Sequence, residues 1–170
     1  SFIPDEGQYD FTMFWNSDTQ YTTQFTEELA YHQHRWIVDA FAEKKGVITF
    51  NTGDIANRSN LRYEYNWKVV EQAYDIFEEA KIPYTFSWGN HDIDYDKHAN
   101  ETRYYRTYFP ASRLAENAGQ REVSFAPDSI DGETTRAMAL KQTLHGAKIM
   151  LLSLAYEARL TNSDLAWAEE

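Results

Sequence analysis

Ile82-Pro83-Tyr84-Thr85-Phe86-Ser87-Trp88-Gly89-Asn90-His91-Asp92 is the stretch whose reading decides the fold of this chain. Its first five residues are a short β-prone run, and the next six bring a glycine, an amide, an imidazole and a carboxylate together. Glycine permits a tight turn and close approach of a ligand. Asn90 offers a neutral oxygen ligand, His91 an imidazole, the side-chain type suited to proton transfer, and Asp92 a carboxylate able to hold an imidazole in one tautomer. By itself such a run is a turn. Two clusters upstream give it a partner set.

The first lies just ahead. Val47-Ile48-Thr49-Phe50 reads as a short buried strand ending in Asn51-Thr52-Gly53-Asp54-Ile55, and a helix over about 61–80 presents Trp67, Val70, Tyr74 and Phe77 as its apolar stripe. Further back, Tyr9–Trp15 is aromatic and β-prone and ends in Asn16-Ser17-Asp18-Thr19-Gln20. A helix over about 23–45 follows, with Phe25, Leu29, Trp36, Ile37, Ala40 and Phe41 near one face and Gly46 as its cap. His32 and His34, two apart on that helix, face different directions and read as surface or half-buried residues. The order is β, α, β, α, β, with crossovers long enough for right-handed βαβ units in a parallel sheet. In such a sheet all strand C-termini share one rim, where open α/β folds bind ligands. The fold class expected is α/β, and Asp18/Gln20, Gly53/Asp54 and Gly89–Asp92 should meet at that rim.

Downstream, residues from about 93 to 120 read as irregular and aromatic, with Arg103 or Arg106 available to a phosphate. Glu122–Ala126 and Arg136–Leu140 read as the arms of a hairpin-like excursion around Asp131-Gly132. Lys148–Leu154 reads as a core strand, and Asn162-Ser163-Asp164 opens a last helix. Asp92-x-Asp94-x-Asp96 begins like a calcium loop, but Lys97 and Arg103 occupy the positions that need glycine and glutamate, so an EF-hand is excluded.

Composition narrows the class. At 170 residues with 42% apolar and 16% aromatic content, the chain fits one globular domain. A formal charge of −11 disfavours a nucleic-acid duplex or an anionic membrane as partner, although bound cations can still attract a phosphate. No cysteine is present, which removes disulfides and thiolate metal sites and favours an extracytoplasmic over a cytoplasmic setting only weakly.

Ser17-Asp18-Thr19-Gln20, Thr52-Gly53-Asp54-Ile55 and Gly89-Asn90-His91-Asp92, in this order and spacing, resemble the first three motifs of the calcineurin-like metallophosphoesterases, and Asp164-Leu165-Ala166-Trp167 also resembles that superfamily. The resemblance implies hydrolysis of a phosphate mono- or diester at a site of two divalent ions, manganese, iron or zinc. It implies that Asp18 and Gln20 ligate the first ion, Asp54 bridges, and Asn90 ligates the second. His91 would protonate the leaving oxygen with Asp92 orienting it. Paired ions suit this chemistry because they acidify a water and clamp attacking and leaving oxygens. The chain departs from the pattern in three places. Gln20 stands where many members have histidine, Asn57 stands where many have aspartate, and the later Gly-His-x-His is missing. The expectation is an N-terminal portion, residues 1–170, of a longer domain whose last ligands and remaining β-sandwich strands lie beyond Glu170. The alternative is a catalytically silent phosphoesterase-like binding module.

Overall fold

The computed structural model describes residues 7, 9–59, 61–93, 103–119, 121–126, 137–156 and 161–169. Its elements in chain order are β1 (Thr12–Trp15), α1 (Gln20–Phe25), α2 (Glu27–Glu43), β2 (Gly46–Phe50), α3 (Glu64–Glu79, entered through a 3₁₀ turn at Leu61–Tyr63), α4 (Arg103–Tyr108), α5 (Ala111–Ala118), β3 (Glu122–Phe125), β4 (Ala137–Leu144), β5 (Ala147–Leu154) and α6 (Asn162–Glu169). The fold is mixed α/β, as the sequence indicates.

β1 and β2 pair in parallel, Met13 opposite Ile48 through Trp15 opposite Phe50. The third segment of the βαβαβ unit joins the far side of β2 by a single parallel bridge, Thr49 to Tyr84. Thr49 N–H donates to the Pro83 carbonyl and Thr85 N–H to the Thr49 carbonyl, each at 3.0 Å. Pro83 has no N–H to extend the ladder. The expected order of segments is therefore present, with residues 82–86 contributing a bridge where a full strand was expected. Strands β3, β4 and β5 form a separate antiparallel sheet, β4 turning into β5 through His145-Gly146.

Four other expectations are corrected. The helix expected over 23–45 is two helices, because Thr26 adopts φ −149° and ψ 65° and Glu27-Glu28 restart the helix with acidic residues at its positive end. Phe25, Leu29 and Trp36 face solvent, and Ala30, His34, Ile37 and Ala40 form the buried face of α2. His34 is accordingly core. The region expected to be irregular contains α4 and α5, which bury Tyr105 and Leu114, with Phe109 buried in the link between them. β5 is a strand, but alternate residues face water; Met150, Leu152 and Leu154 are exposed. Asp94, Asp96, His98, the Arg103 side chain and the hairpin tip at Asp131-Gly132 lie outside the described residues.

The stripe read on α3 is buried as expected, with Trp67, Val70, Tyr74 and Phe77 all in the core. Tyr74 is its hub, with its ring 4.8 Å from both Tyr84 and Phe86 and 5.2 Å from Phe109. Such edge-to-face packing adds about 0.5–1.5 kcal/mol per pair beyond area burial. It fixes residues 84–86, and so the loop that follows. Arg113 clamps the outside of this layer, its Nε on Glu78 and its Nη2 on Asp75, both at 2.7 Å. α6 begins with Thr161 and Asp164 exchanging hydrogen bonds in a capping box, and Trp167 Nε1 donates to Ser124 Oγ at 3.1 Å, docking the helix on β3. No helix among the described residues is long and apolar enough to cross a membrane.

Candidate active site

The loops after β1, after β2 and after residues 82–86 meet at the rim. Their meeting is set by backbone bonds. Asp18 N–H donates to the Gly53 carbonyl at 3.2 Å and Gln20 N–H to the Asp54 carbonyl at 2.9 Å. Ser17 Oγ donates to the Gly53 carbonyl at 2.9 Å, and Thr23 Oγ1 to the Ile55 carbonyl at 3.0 Å. Beneath them, Asn51 Nδ2 donates to the Asn16 carbonyl at 2.9 Å while Asn51 Oδ1 accepts from Gly53 N–H at 2.6 Å. Both asparagines are buried. Each sits one residue past the end of its strand, so each closes a strand end and aims the next loop.

Two glycines let the second and third loops touch. Gly53 has φ +97°, and a Cβ on it would lie 2.3 Å from the Gly89 nitrogen. A Cβ on Gly89 would lie 2.1 Å from Asp54 Oδ1 and 2.5 Å from the Asp54 nitrogen. The contact thus requires that both positions lack a side chain. Asp18 and Asp54 themselves have positive φ, 58° and 55°. Non-glycine residues adopt that region at a cost, and such strain gathers at functional sites. Here it points both carboxylate-bearing residues away from the ordinary strand-to-turn path.

Asp54 Oδ1 accepts the His91 backbone N–H at 2.8 Å, joining the second loop to the third. Asn90, half-buried, stands between Gly89 and His91 in the same loop. Gln20 is buried, and its Oε1 has no hydrogen-bond partner. A buried amide oxygen left without a donor costs roughly 1–3 kcal/mol. A hard cation suits such an oxygen, and the candidate residues of the three loops, Asp18, Gln20, Asp54 and Asn90, offer carboxylate and amide oxygens. The residues present therefore fit a divalent ion. Among the described residues no three His, Cys, Asp or Glu side chains gather into a metal-holding group; amides make up half of this set.

The orientation of His91 differs from expectation. Asp92 does not reach its ring. Asp92 is fully buried, and its carboxylate accepts four backbone N–H groups, from Gly89, Asp54, Ile55 and Ala56, at 2.8–3.0 Å. Burial holds this carboxyl up at about 7 even with the backbone bonds from Gly89, Ala56 and Asp54 pulling it down. All four contacts are donors, so an acid proton there would find no acceptor, and a cation beside Asp54 would further favour the ionised form. Asp92 thus staples the second loop to the third. The partner of the His91 ring is Asn57, whose Oδ1 lies 2.9 Å from Nδ1. Asn57 Nδ2 donates to Gln24 Oε1, which turns Oδ1 toward the histidine. The ring therefore keeps a proton on Nδ1 and leaves Nε2 for chemistry.

With the rim assembled, comparison with known proteins becomes decisive. The family described as calcineurin-like phosphoesterase matches residues 17–169, which spans all three loops and α6. The chain belongs to the calcineurin-like phosphoesterase family. It is 30% identical over 105 residues to the uncharacterized protein YvnB of Bacillus subtilis (strain 168), a match covering 61% of this chain and 8% of that protein's length. No solved structure matches it. Within this calcineurin-like phosphoesterase chain, the amides at positions 20 and 57 stand one at the rim and one on the His91 imidazole. Asn16, Asn51 and Gln24 escaped the sequence reading. The only hint was that the two asparagines follow β-prone runs, where a buried amide closes the strand end.

Proposed function

We propose that this protein hydrolyses a phosphate mono- or diester with two divalent ions held at the rim by Asp18, Gln20, Asp54 and Asn90. The observation that supports the reading is the bonded convergence of the three loops, which ties Gln20 N–H to the Asp54 carbonyl and Asp54 Oδ1 to the His91 N–H, with Gln20 Oε1 buried and unpartnered among the described residues. Divalent ions, when bound, supply Lewis-acid stabilisation and an acidified water.

The chain's own residues do the rest. Asp54 presents one carboxylate oxygen to the His91 backbone and keeps the other available at the rim. Its positive φ and the Gly53–Gly89 contact hold it in place. Asp92 locks the loop that carries Asn90 and His91, so neither has to be ordered when substrate arrives. His91, tethered at Nδ1, hands a proton from Nε2 to the leaving oxygen. A phosphoester is thus the expected substrate. Gln20 in place of histidine gives the site a harder, weaker ligand and favours manganese or iron over zinc.

Titration calorimetry with manganese and zinc, beside phosphoester turnover, tests this in wild type and Asp54→Asn. The expected result is two ions per chain and turnover in wild type, with binding weakened and turnover abolished in the variant. Metal-dependent turnover persisting in Asp54→Asn would remove Asp54 from its role. The second reading, a silent binding module, draws on the neutral amides at positions 20 and 57. Full metal loading without turnover of any phosphoester would favour it.

A further inference from the structure

Three residues whose spacing predicts core, Phe25, Leu29 and Trp36, face water, and Phe25 leads back to the acid group. The Tyr21 ring stands 6.0 Å from the His91 ring at 67°, and it stacks on Phe25 at 6.3 Å and 7°. Tyr21 is 58% exposed and Phe25 72%. The opposite face of α1 is fully committed: Gln20 and Thr23 are buried, Thr23 Oγ1 donates to the Gln20 and Ile55 carbonyls, and Gln24 holds Asn57. Polar contacts therefore anchor α1 on the rim, and its two rings are not what holds it there. A contiguous apolar patch left in water marks a binding surface more often than isolated exposed residues do.

We propose that Tyr21 and Phe25 form a platform for the leaving group, selecting phosphoesters whose esterified alcohol carries a planar aromatic ring, as an aryl group or a nucleobase does. This rests on the assignment of His91 as proton donor. A donor faces the leaving oxygen, so the side chains flanking its ring meet whatever that oxygen carries. Tyr21 flanks it. A planar ring stacks on such a pair without needing specific hydrogen bonds, and the pair presents rigid faces with little rotamer freedom to lose. An aliphatic alcohol would gain no stacking there.

In manganese-loaded protein, KM and kcat are compared for phenyl phosphate and glycerol phosphate, and for their methyl diesters. The variants are Tyr21→Ala, Phe25→Ala, Tyr21→Phe, and Trp36→Ala as an exposed aromatic away from the rim. Comparing each variant with wild type on the same ester cancels the intrinsic reactivity of the leaving group. The alanine changes at 21 and 25 should each raise KM for the phenyl ester about tenfold, with kcat little altered. KM for the glyceryl ester should stay within about twofold, Tyr21→Phe should keep the wild-type preference, and Trp36→Ala should change neither ester. Equal effects on both esters, or none, would overturn the platform while leaving the phosphoesterase reading intact. If wild type turns over neither ester, saturation-transfer NMR with phenyl phosphate decides the platform, and the phosphoesterase reading is judged separately by turnover of other phosphoesters. Transfer to the phenyl protons in wild type that is lost in Tyr21→Ala supports it; no transfer in wild type overturns it.

Discussion

His91 Nδ1 lies 2.9 Å from Asn57 Oδ1, and no carboxylate takes that place. The nearest candidate by sequence, Asp92, is occupied by four backbone donors. An amide oxygen fixes the tautomer as well as a carboxylate does but gives the imidazolium no charge partner. This separates positioning of the acid from its electrostatic tuning.

Asn57→Ala should lower kcat about 10–100-fold, the loss typical when a partner that orients a functional side chain is removed. Asn57→Asp should keep the tether and add a charge that stabilises the imidazolium, so the limb of the pH–rate profile set by the acid should move up by about 1–3 units. A pH–rate profile of the two variants checks both. An unshifted limb in Asn57→Asp with full activity in Asn57→Ala would mean that the contact has no part in turnover.

Gly89→Ala would place a methyl carbon 2.1 Å from Asp54 Oδ1 and 2.5 Å from the Asp54 nitrogen. The backbone nitrogen cannot yield as a flexible side chain can, so the two loops must part. That breaks the His91 N–H bond to Asp54 and strains the shell around Asp92. The expected cost is about 1–3 kcal/mol in stability, read from denaturant midpoints, together with weakened manganese binding in calorimetry. Unchanged midpoint and affinity would show that the contact has slack.

How much of this was legible in the sequence depends on what each residue contacts. The α3 stripe was legible because Trp67, Val70, Tyr74 and Phe77 keep one helical phase from end to end. The convergence of the three loops was legible because each follows a β-prone run, and parallel topology brings such ends together. Phe25 was misread because the break at Thr26 puts it on a separate helix, and Leu29 and Trp36 because they sit at the edge of the α2 face whose centre buries Ala30, His34 and Ile37. The role of Asp92 was misread for a different reason. Neighbours in a tight turn point apart, and the donors Asp92 accepts, Ile55 and Ala56 among them, are backbone groups more than thirty positions away that no side-chain pattern announces. α4 was missed because a six-residue helix of tyrosine, arginine and threonine shows no clean apolar period, and α5 because its eight residues bury only Leu114 and Ala118.

His34 ties the pH response of stability to the rim. Its ring is buried against Tyr74 and Phe77, Nδ1 donates to the Ala30 carbonyl at 2.8 Å, and Nε2 accepts from Asn16 Nδ2 at 3.0 Å. Asn16 is held in that orientation because Gln33 Nε2 donates to its Oδ1. Both ring nitrogens are thus satisfied only in the neutral form, since a second ring proton would face a donor. Burial lowers the group to about 4, with the Ala30 bond opposing. The unfolded chain binds the proton near 6.5, so between about 6.5 and 4 the unfolded state carries more protons than the folded one. This contribution is complete above about 6.5, is lost as pH falls through that window and levels off below about 4, amounting to about 3 kcal/mol. Asn16 also accepts the Asn51 bond that positions Gly53, so loosening His34 should reach the rim where the three loops meet. Denaturant midpoints from pH 4 to 7.5 should fall with acidification in wild type and fall less steeply in His34→Gln, which keeps a polar side chain but cannot titrate. Equal slopes for the two proteins would place the acid sensitivity elsewhere.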